Sequence, residues 1–90
     1  MAMSNAMKYL MRNMNSSVLV SLKTGAWVRG ILRAFDKHLN LIVDNAEEMI
    51  PVERADGVDL EPHRLGKRIL IRGDTVVAIS APNVEEEEVL

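Results

Sequence analysis

The sequence predicts a mainly β fold, in which an N-terminal α-helix is followed by a five-stranded, strongly bent antiparallel open barrel. Three observations carry this prediction. The spacing of apolar residues changes from helical to alternating at Val18. Turn residues then divide the chain into five short runs. The 90 residues suffice for one small domain, and short bent strands in so small a domain are typical of a partly open barrel.

The first predicted element is an amphipathic helix over residues 2–14. Its apolar residues recur at helical spacing, and Lys8 and Arg12 lie four residues apart on another face. We interpret the apolar stripe as packing surface rather than as a binding surface. The stripe consists of Met3, Met7, Leu10, Met11 and Met14.

The first three strands follow from alternation and from turn residues. Val18, Val20 and Leu22 alternate with their neighbours, and Thr24-Gly25 supplies a turn. A second strand is predicted over residues 26–35, where Gly30 indicates a bulge or a sharp bend. A third strand is predicted over residues 40–50, after a polar break at 36–38.

The second half of the chain contains two further predicted strands, over residues 67–72 and 75–80. Before them, residues 51–66 are rich in turn and charged residues and are predicted to form a connecting segment. From Pro82 onward, four consecutive glutamates indicate a solvated, mobile tail. We therefore expect a single domain over residues 1–84 and an acidic tail over 85–90.

Composition excludes several classes of protein. Cysteine is absent, which excludes disulfides, thiolate metal sites and a cysteine nucleophile. No apolar run approaches the ~18 residues of a membrane span, and the start lacks a cleavable signal pattern. We expect an intracellular, cytoplasmic protein without a cofactor. A domain this small has a thin core, which favours recruitment of partner subunits.

The net charge of −2 argues against a general basic surface. Glu85 to Glu88 account for four negative charges, so the first 84 residues carry +2. Any affinity for a polyanion must then come from a focused site.

Two stretches resemble the sequence motifs of the Sm-like (LSm) family, in its archaeal and eukaryotic branch. Residues 18–48 resemble the first Sm motif, with Gly30 and Asn40 ten residues apart and the sequence Phe-Asp-Lys-His-Leu-Asn-Leu over 35–41. Residues 69–80 resemble the second motif, including Ile-Arg-Gly-Asp. The two motifs cover about half of the chain, in the right order and after a helix in the right place.

This resemblance implies an assembly as well as a fold. In that family the fourth strand of one subunit pairs with the fifth strand of its neighbour, which gives a closed homo-oligomeric ring, usually of seven copies. Residues 67–72 and 75–80 would then form the seam between subunits. The resemblance also implies binding of single-stranded, uridine-rich RNA near the pore, with roles in RNA processing, RNA chaperoning or ribonucleoprotein assembly.

The predicted RNA site begins with Asp36, His38 and Asn40. Their spacing of two residues places all three side chains on one side of an extended backbone. The Asn40 amide offers one donor and one acceptor side, which matches the edge of uracil, and Asp36 is the candidate that holds this amide in one orientation. The family resemblance adds base stacking between His38 and Arg72.

The same resemblance places Asp74, or its backbone, at the base edge, and Gly73 beside it. Arg72 suits stacking because its guanidinium is planar, unlike the lysine ammonium.

Two alternatives stand beside this interpretation. In a catalytic site, His38 would act as a base oriented by Asp36, and His63 with Glu61 would be added for a metal. The chain offers no convincing nucleophile, phosphate-binding glycine loop or three-ligand metal pattern. We therefore expect that the protein is not an enzyme and has no metal site. The other alternative is an oligomeric protein-interaction scaffold, with partners bound through residues 51–66 or through the acidic tail. That segment is longer than in many family members and could instead elongate the third and fourth strands.

Overall fold

A computed structural model describes residues 4–81 and 88–89. It confirms the predicted class: one helix precedes antiparallel strands in a bent sheet. The elements are α1 (Asn5–Arg12), β1 (Ser17–Leu22), β2 (Trp27–Phe35), β3 (Leu41–Arg54), β4 (Gly57–Ile71), a 3-10 turn (Gly73–Thr75), β5 (Val76–Ser80) and β6 (Glu88–Val89).

The described strands form one sheet in the order β4-β3-β2-β1-β5-β6. Every pair of neighbours in it is antiparallel. The predicted irregularity at Gly30 is present, because the register of β2 against β3 shifts between Arg29 and Ile31. A Cβ at Gly30 would collide with the Val43 side chain and would lie 2.9 Å from the carbonyl oxygen of Asp44. The bend therefore depends on glycine at this position.

The core lies between the bent sheet and the helix. Alternate residues of β1 and β3 point inward: Val18, Val20, Leu41 and Val43 are almost fully buried. Leu10 of α1 is buried against them. Burying one such side chain stabilises a fold by about 1.5–3 kcal/mol, so this small cluster fixes the ends of β2 and β3, from which the candidate site projects.

The helix is shorter than the predicted 2–14 and buries a partly different face. It begins after Ser4, whose side chain accepts a hydrogen bond from the Met7 amide at 3.2 Å, and it ends at Arg12. Tyr9 and Leu10 are buried, whereas Met11 is 52% exposed. The prediction that the methionine stripe forms the packing surface is thus only partly right, because Tyr9 faces the core and Met11 does not. Residues 1–3 lie outside the described part of the chain.

The predicted connecting segment over residues 51–66 is wrong, and the alternative that this segment elongates the third and fourth strands is confirmed. β3 and β4 instead continue as a long hairpin, paired from Leu41↔Ile71 out to Arg54↔Gly57. We call its outer part, residues 50–61, the arm. Pro51 is tolerated in the arm because it lies beyond the last β2 partner of β3. Pro62, next to the arm, is tolerated because β4 has no other neighbour among the described strands.

The prediction of a solvated tail also needs a correction at Glu88–Val89. These two residues form β6 and pair with β5 through Ala78↔Val89 and Ile79↔Glu88. Residues 82–87 and 90 lie outside the described part of the chain. Within the described residues, no helix is long and apolar enough to cross a membrane.

Candidate functional site

The centre of the candidate site is the turn between β2 and β3. The Asp36 carboxylate accepts hydrogen bonds from the backbone N–H groups of His38 (2.9 Å) and Asn40 (3.0 Å). Leu39 takes a left-handed conformation, with φ of 63°. The expectation of an extended backbone here is therefore wrong. The three predicted side chains lie close together because the Asp36 carboxylate accepts hydrogen bonds from the backbone of its own turn.

The Asn40 side chain is held at both of its ends. Its Nδ2 donates to the second carboxylate oxygen of Asp36 at 2.9 Å. Its Oδ1 accepts from the backbone N–H of Gly73 at 2.8 Å. An aspartate can only accept here and a backbone N–H can only donate, so the orientation of the amide is determined by its partners. One N–H and one lone-pair direction of the same amide remain available.

Gly73 brings the second loop against the first. A Cβ at this position would collide with the carbonyl oxygen of His38 and would lie 2.8 Å from the carbonyl carbon of Leu39. Only glycine permits an approach this close. The hydrogen bond from Gly73 to Asn40 thus depends on the absence of a side chain at residue 73.

Five of the six predicted site residues line a single cavity of about 390 Å³: His38, Asn40, Arg72, Gly73 and Asp74. The sixth, Asp36, does not line the cavity but accepts a hydrogen bond from Asn40, which does. The Arg72 guanidinium donates to the Asp74 carboxylate at 3.0 Å, and both side chains are exposed, at 74% and 63%. An ion pair this exposed contributes little to stability, so the Arg72 guanidinium is free to adjust to a ligand.

The electrostatics of the turn favour an ionised Asp36. The hydrogen bond from the Asn40 side chain is the largest cause that lowers the pKa of Asp36 below its usual 3.8. Desolvation, the next largest, opposes it, while the backbone N–H groups of Asn40 and His38 and the charge of His38 lower the pKa further. A carboxylate that stays ionised remains an acceptor for the Asn40 amide throughout the neutral range.

Sequence reasoning missed Thr75. Its backbone N–H and its hydroxyl both donate to the carbonyl oxygen of Arg72, at 3.0 and 2.6 Å. These bonds close the 3-10 turn that carries Arg72 and Gly73. A threonine three residues after Arg72 is a recognisable signal for such a turn.

The catalytic alternative gains no metal site from the structure. His63 Nε2 lies 3.1 Å from Glu61 Oε1, and Arg54 also pairs with Glu61, at 3.5 Å. Across residues 4–81 and 88–89, no group of three or more potential ligands is arranged to hold a metal ion.

Comparison with known proteins identifies the family. The model of the LSM domain family matches residues 8–81. A putative snRNP Sm-like protein of Methanococcoides burtonii is 42% identical over 67 residues, which cover 74% of this chain and 82% of that protein. The small nuclear ribonucleoprotein-associated protein B of Dictyostelium discoideum is 37% identical over 79 residues. That match covers 86% of this chain but only 29% of the relative's length.

Solved structures agree with this assignment. The Sm protein of Pyrococcus abyssii, solved in complex with a uridine heptamer, is 35% identical with a TM-score of 0.70; 87% of this chain and 99% of that chain are covered. A heptameric archaeal Sm protein is 34% identical with a TM-score of 0.62; 82% of this chain and 96% of that chain are covered. The chain belongs to the LSM domain family.

Proposed function

We propose that this protein is a subunit of a homo-oligomeric ring that binds single-stranded, uridine-rich RNA at the ring pore. The observation that carries the proposal is the double anchoring of the Asn40 amide, by Asp36 at 2.9 Å and by Gly73 at 2.8 Å. An amide fixed in this way presents one donor and one acceptor in a defined order.

That order matches uracil. The free lone pair of Asn40 Oδ1 accepts from N3–H of the base, while the second N–H of Nδ2 donates to a ring carbonyl oxygen. Cytosine presents an acceptor at N3 and an amino donor beside it, so the same amide meets it with donor against donor and acceptor against acceptor. Hydrogen bonds to the base edge therefore supply the preference for uridine.

Stacking supplies affinity that is largely independent of base identity. His38 and Arg72 line the same cavity as Asn40, so a base whose edge meets the amide has an imidazole and a guanidinium available for its two faces. Such stacking is worth about 1–3 kcal/mol per base. Gly73 shapes the floor of the cavity, and Asp74 pairs with the Arg72 guanidinium in an ion pair weak enough to rearrange when a base stacks.

A ring multiplies this one site. Two relatives support the assembly: one archaeal Sm protein forms a heptamer and another binds a uridine heptamer. Seven sites around one pore would bind successive nucleotides of one strand, and such multivalency raises avidity by about 10²–10⁴. This explains how a chain with a net charge of −2 binds RNA.

The proposed role is binding without catalysis: RNA processing, RNA chaperoning or ribonucleoprotein assembly inside the cell. In this proposal the RNA-binding domain spans residues 1–84, and the acidic residues that follow it add to the domain only through β6, which pairs with β5.

A second function is favoured by the arm. Val58 is 70% exposed and Leu60 is 40% exposed, although both are apolar. Exposed apolar side chains on a projecting hairpin are typical of protein contacts. The second candidate function is therefore an oligomeric scaffold, whose partners bind through the β3–β4 hairpin.

Asn40→Ala tests the proposal. The substitution removes the edge that reads the base, and we expect the preference for oligo(U) over oligo(C) to disappear in fluorescence anisotropy at about 150 mM salt. Lys37→Ala is the matched control, because Lys37 is an exposed residue of the same turn. It should keep the preference, with a uniform small loss of affinity for both oligomers.

Light scattering on both variants shows whether they still assemble. If Asn40→Ala assembles and retains the uridine preference, the proposed base reading is wrong. If neither the wild type nor the variants bind RNA while all of them assemble, the scaffold is the better description.

A further inference from the structure

The two outer edges of the sheet are unequal in the single chain. β4 begins the strand order and has a neighbour on one side only among the described strands, whereas β5 has β1 on one side and β6 on the other. The strand that covers β5 comes from the chain's own C-terminal segment, through Ala78↔Val89 and Ile79↔Glu88. β6 also lies against α1.

This arrangement bears on assembly. In the proposed ring, which this inference presupposes, the neighbour's β4 pairs with the same outer edge of β5. The outward N–H and C=O groups of one strand edge can pair with one partner strand at a time. β6 and the neighbour's β4 are therefore mutually exclusive partners of β5.

The two competitors differ greatly in length. β6 has two residues, whereas β5 offers five and β4 has fifteen. A two-residue strand adds few backbone hydrogen bonds, so a neighbouring subunit can displace it. It still covers an edge that would otherwise pair with any exposed strand.

We propose that the C-terminal segment caps the β5 edge of the unassembled subunit and that the β4 strand of a second copy of this chain displaces it when the ring closes. The cap lowers the fraction of subunits competent to assemble. Apparent affinity falls in proportion to that fraction. The capped edge also protects free subunits from irregular association.

The test is a proline variant of the full chain, Glu88→Pro combined with Val89→Pro. Proline lacks the backbone N–H and restricts φ, so the variant cannot form β6. The matched control is Glu85→Gln, Glu86→Gln and Glu87→Gln, which removes charge from the tail and leaves both β6 residues in place.

The main readout is the subunit concentration at which half of the chains are in rings, measured by mass photometry across a dilution series. We expect the proline variant to assemble at a concentration about 3- to 10-fold lower than the wild type, as follows if about 70–90% of free subunits are capped. The glutamine control should match the wild type. In dilute, unassembled samples, whichever of the Ala78 and Ile79 amides faces β6 should exchange hydrogen faster in the proline variant, whereas the amide that faces β1 should be unchanged.

The outcomes separate the cap from the proposed function. Rings that form at the same concentration with and without β6 overturn the cap and leave RNA binding by the ring intact. The cap is also overturned if the glutamine control assembles at a lower concentration than the wild type by as much as the proline variant does. Loss of charge rather than loss of strand pairing would then be responsible. A chain that forms no ring at all overturns both proposals.

Discussion

Asp36→Asn perturbs the site with the smallest change of shape. In the wild type, Asp36 accepts from the Asn40 amide while Gly73 donates to it. An asparagine at 36 can keep accepting the two backbone N–H groups of the turn, but its own NH₂ then faces the NH₂ of Asn40. If Asn40 flips to relieve this conflict, its NH₂ faces the N–H of Gly73 instead. Either orientation leaves one donor against another, so the two become similar in free energy.

The magnitude follows from what the fixed amide supplies. A good bidentate contact to a base edge discriminates by about 1–3 kcal/mol, which is a ratio of about 5- to 150-fold between the right and wrong base. With both amide orientations populated, oligo(U) binds somewhat more weakly and oligo(C) more tightly. We expect the affinity ratio to fall to within about twofold of unity.

The assay is anisotropy with oligo(U) and oligo(C) at fixed salt, read as the ratio of the two affinities. Removing a negative charge strengthens binding of any RNA, and the ratio cancels this effect. Asp59→Asn makes the same charge change on the arm, where the Asp59 side chain is 67% exposed, and should leave the ratio unchanged. An Asp36→Asn protein that folds, assembles and keeps its full preference for uridine would refute the role of Asp36.

Three further predictions follow from the same geometry. Gly73→Ala should destabilise the fold by about 1–3 kcal/mol in chemical denaturation, because its Cβ collides with the turn at His38; an unchanged midpoint would contradict the close approach. Arg72→Lys should weaken oligo(U) and oligo(C) alike by about 5- to 150-fold, if one stacking contact per site is lost; a loss confined to oligo(U) would mean that Arg72 reads the base edge. Hydrogen bonds lower the pKa of two carboxylates, that from the Asn40 side chain for Asp36 and those from the Arg68 guanidinium for Asp44. Their contribution to stability should therefore be complete above about pH 5 and be lost as the pH falls below about 4. Thermal melting from pH 7 to pH 2 measures this, and a decline that is complete above pH 5 would exclude these two groups as its cause.

Much of the fold could be predicted from the sequence because it rests on local signals. Alternation marks β1, and Gly30 marks the bend of β2, where no Cβ fits. The arm could not be predicted in the same way. Both of its faces are largely exposed, so its strands lack the alternation that marks a half-buried strand. Pro51 in the arm and Pro62 beside it suggest turns, although both lie within strands.

The candidate site was predictable in membership but not in geometry. Spacing and family resemblance brought together Asp36, His38, Asn40 and Arg72. The left-handed conformation of Leu39 could not be predicted from residue spacing, because a residue other than glycine adopts it only when its surroundings require it. The hydrogen bond from Gly73 joins residues 33 positions apart in the chain, and local pattern carries no information about such a contact. The capping strand β6 escaped prediction because four glutamates dominate the composition of the tail.

The most direct test of the central claim is a side-by-side anisotropy titration of wild-type protein with short oligo(U) and oligo(C) at about 150 mM salt. Because Asp36 and Gly73 fix the Asn40 amide in one orientation, we expect oligo(U) to bind more tightly than oligo(C), by about 5-fold or more. Equal binding of the two oligomers, or no binding of either by assembled rings, would contradict base reading by this site and leave the LSM fold without the function proposed for it.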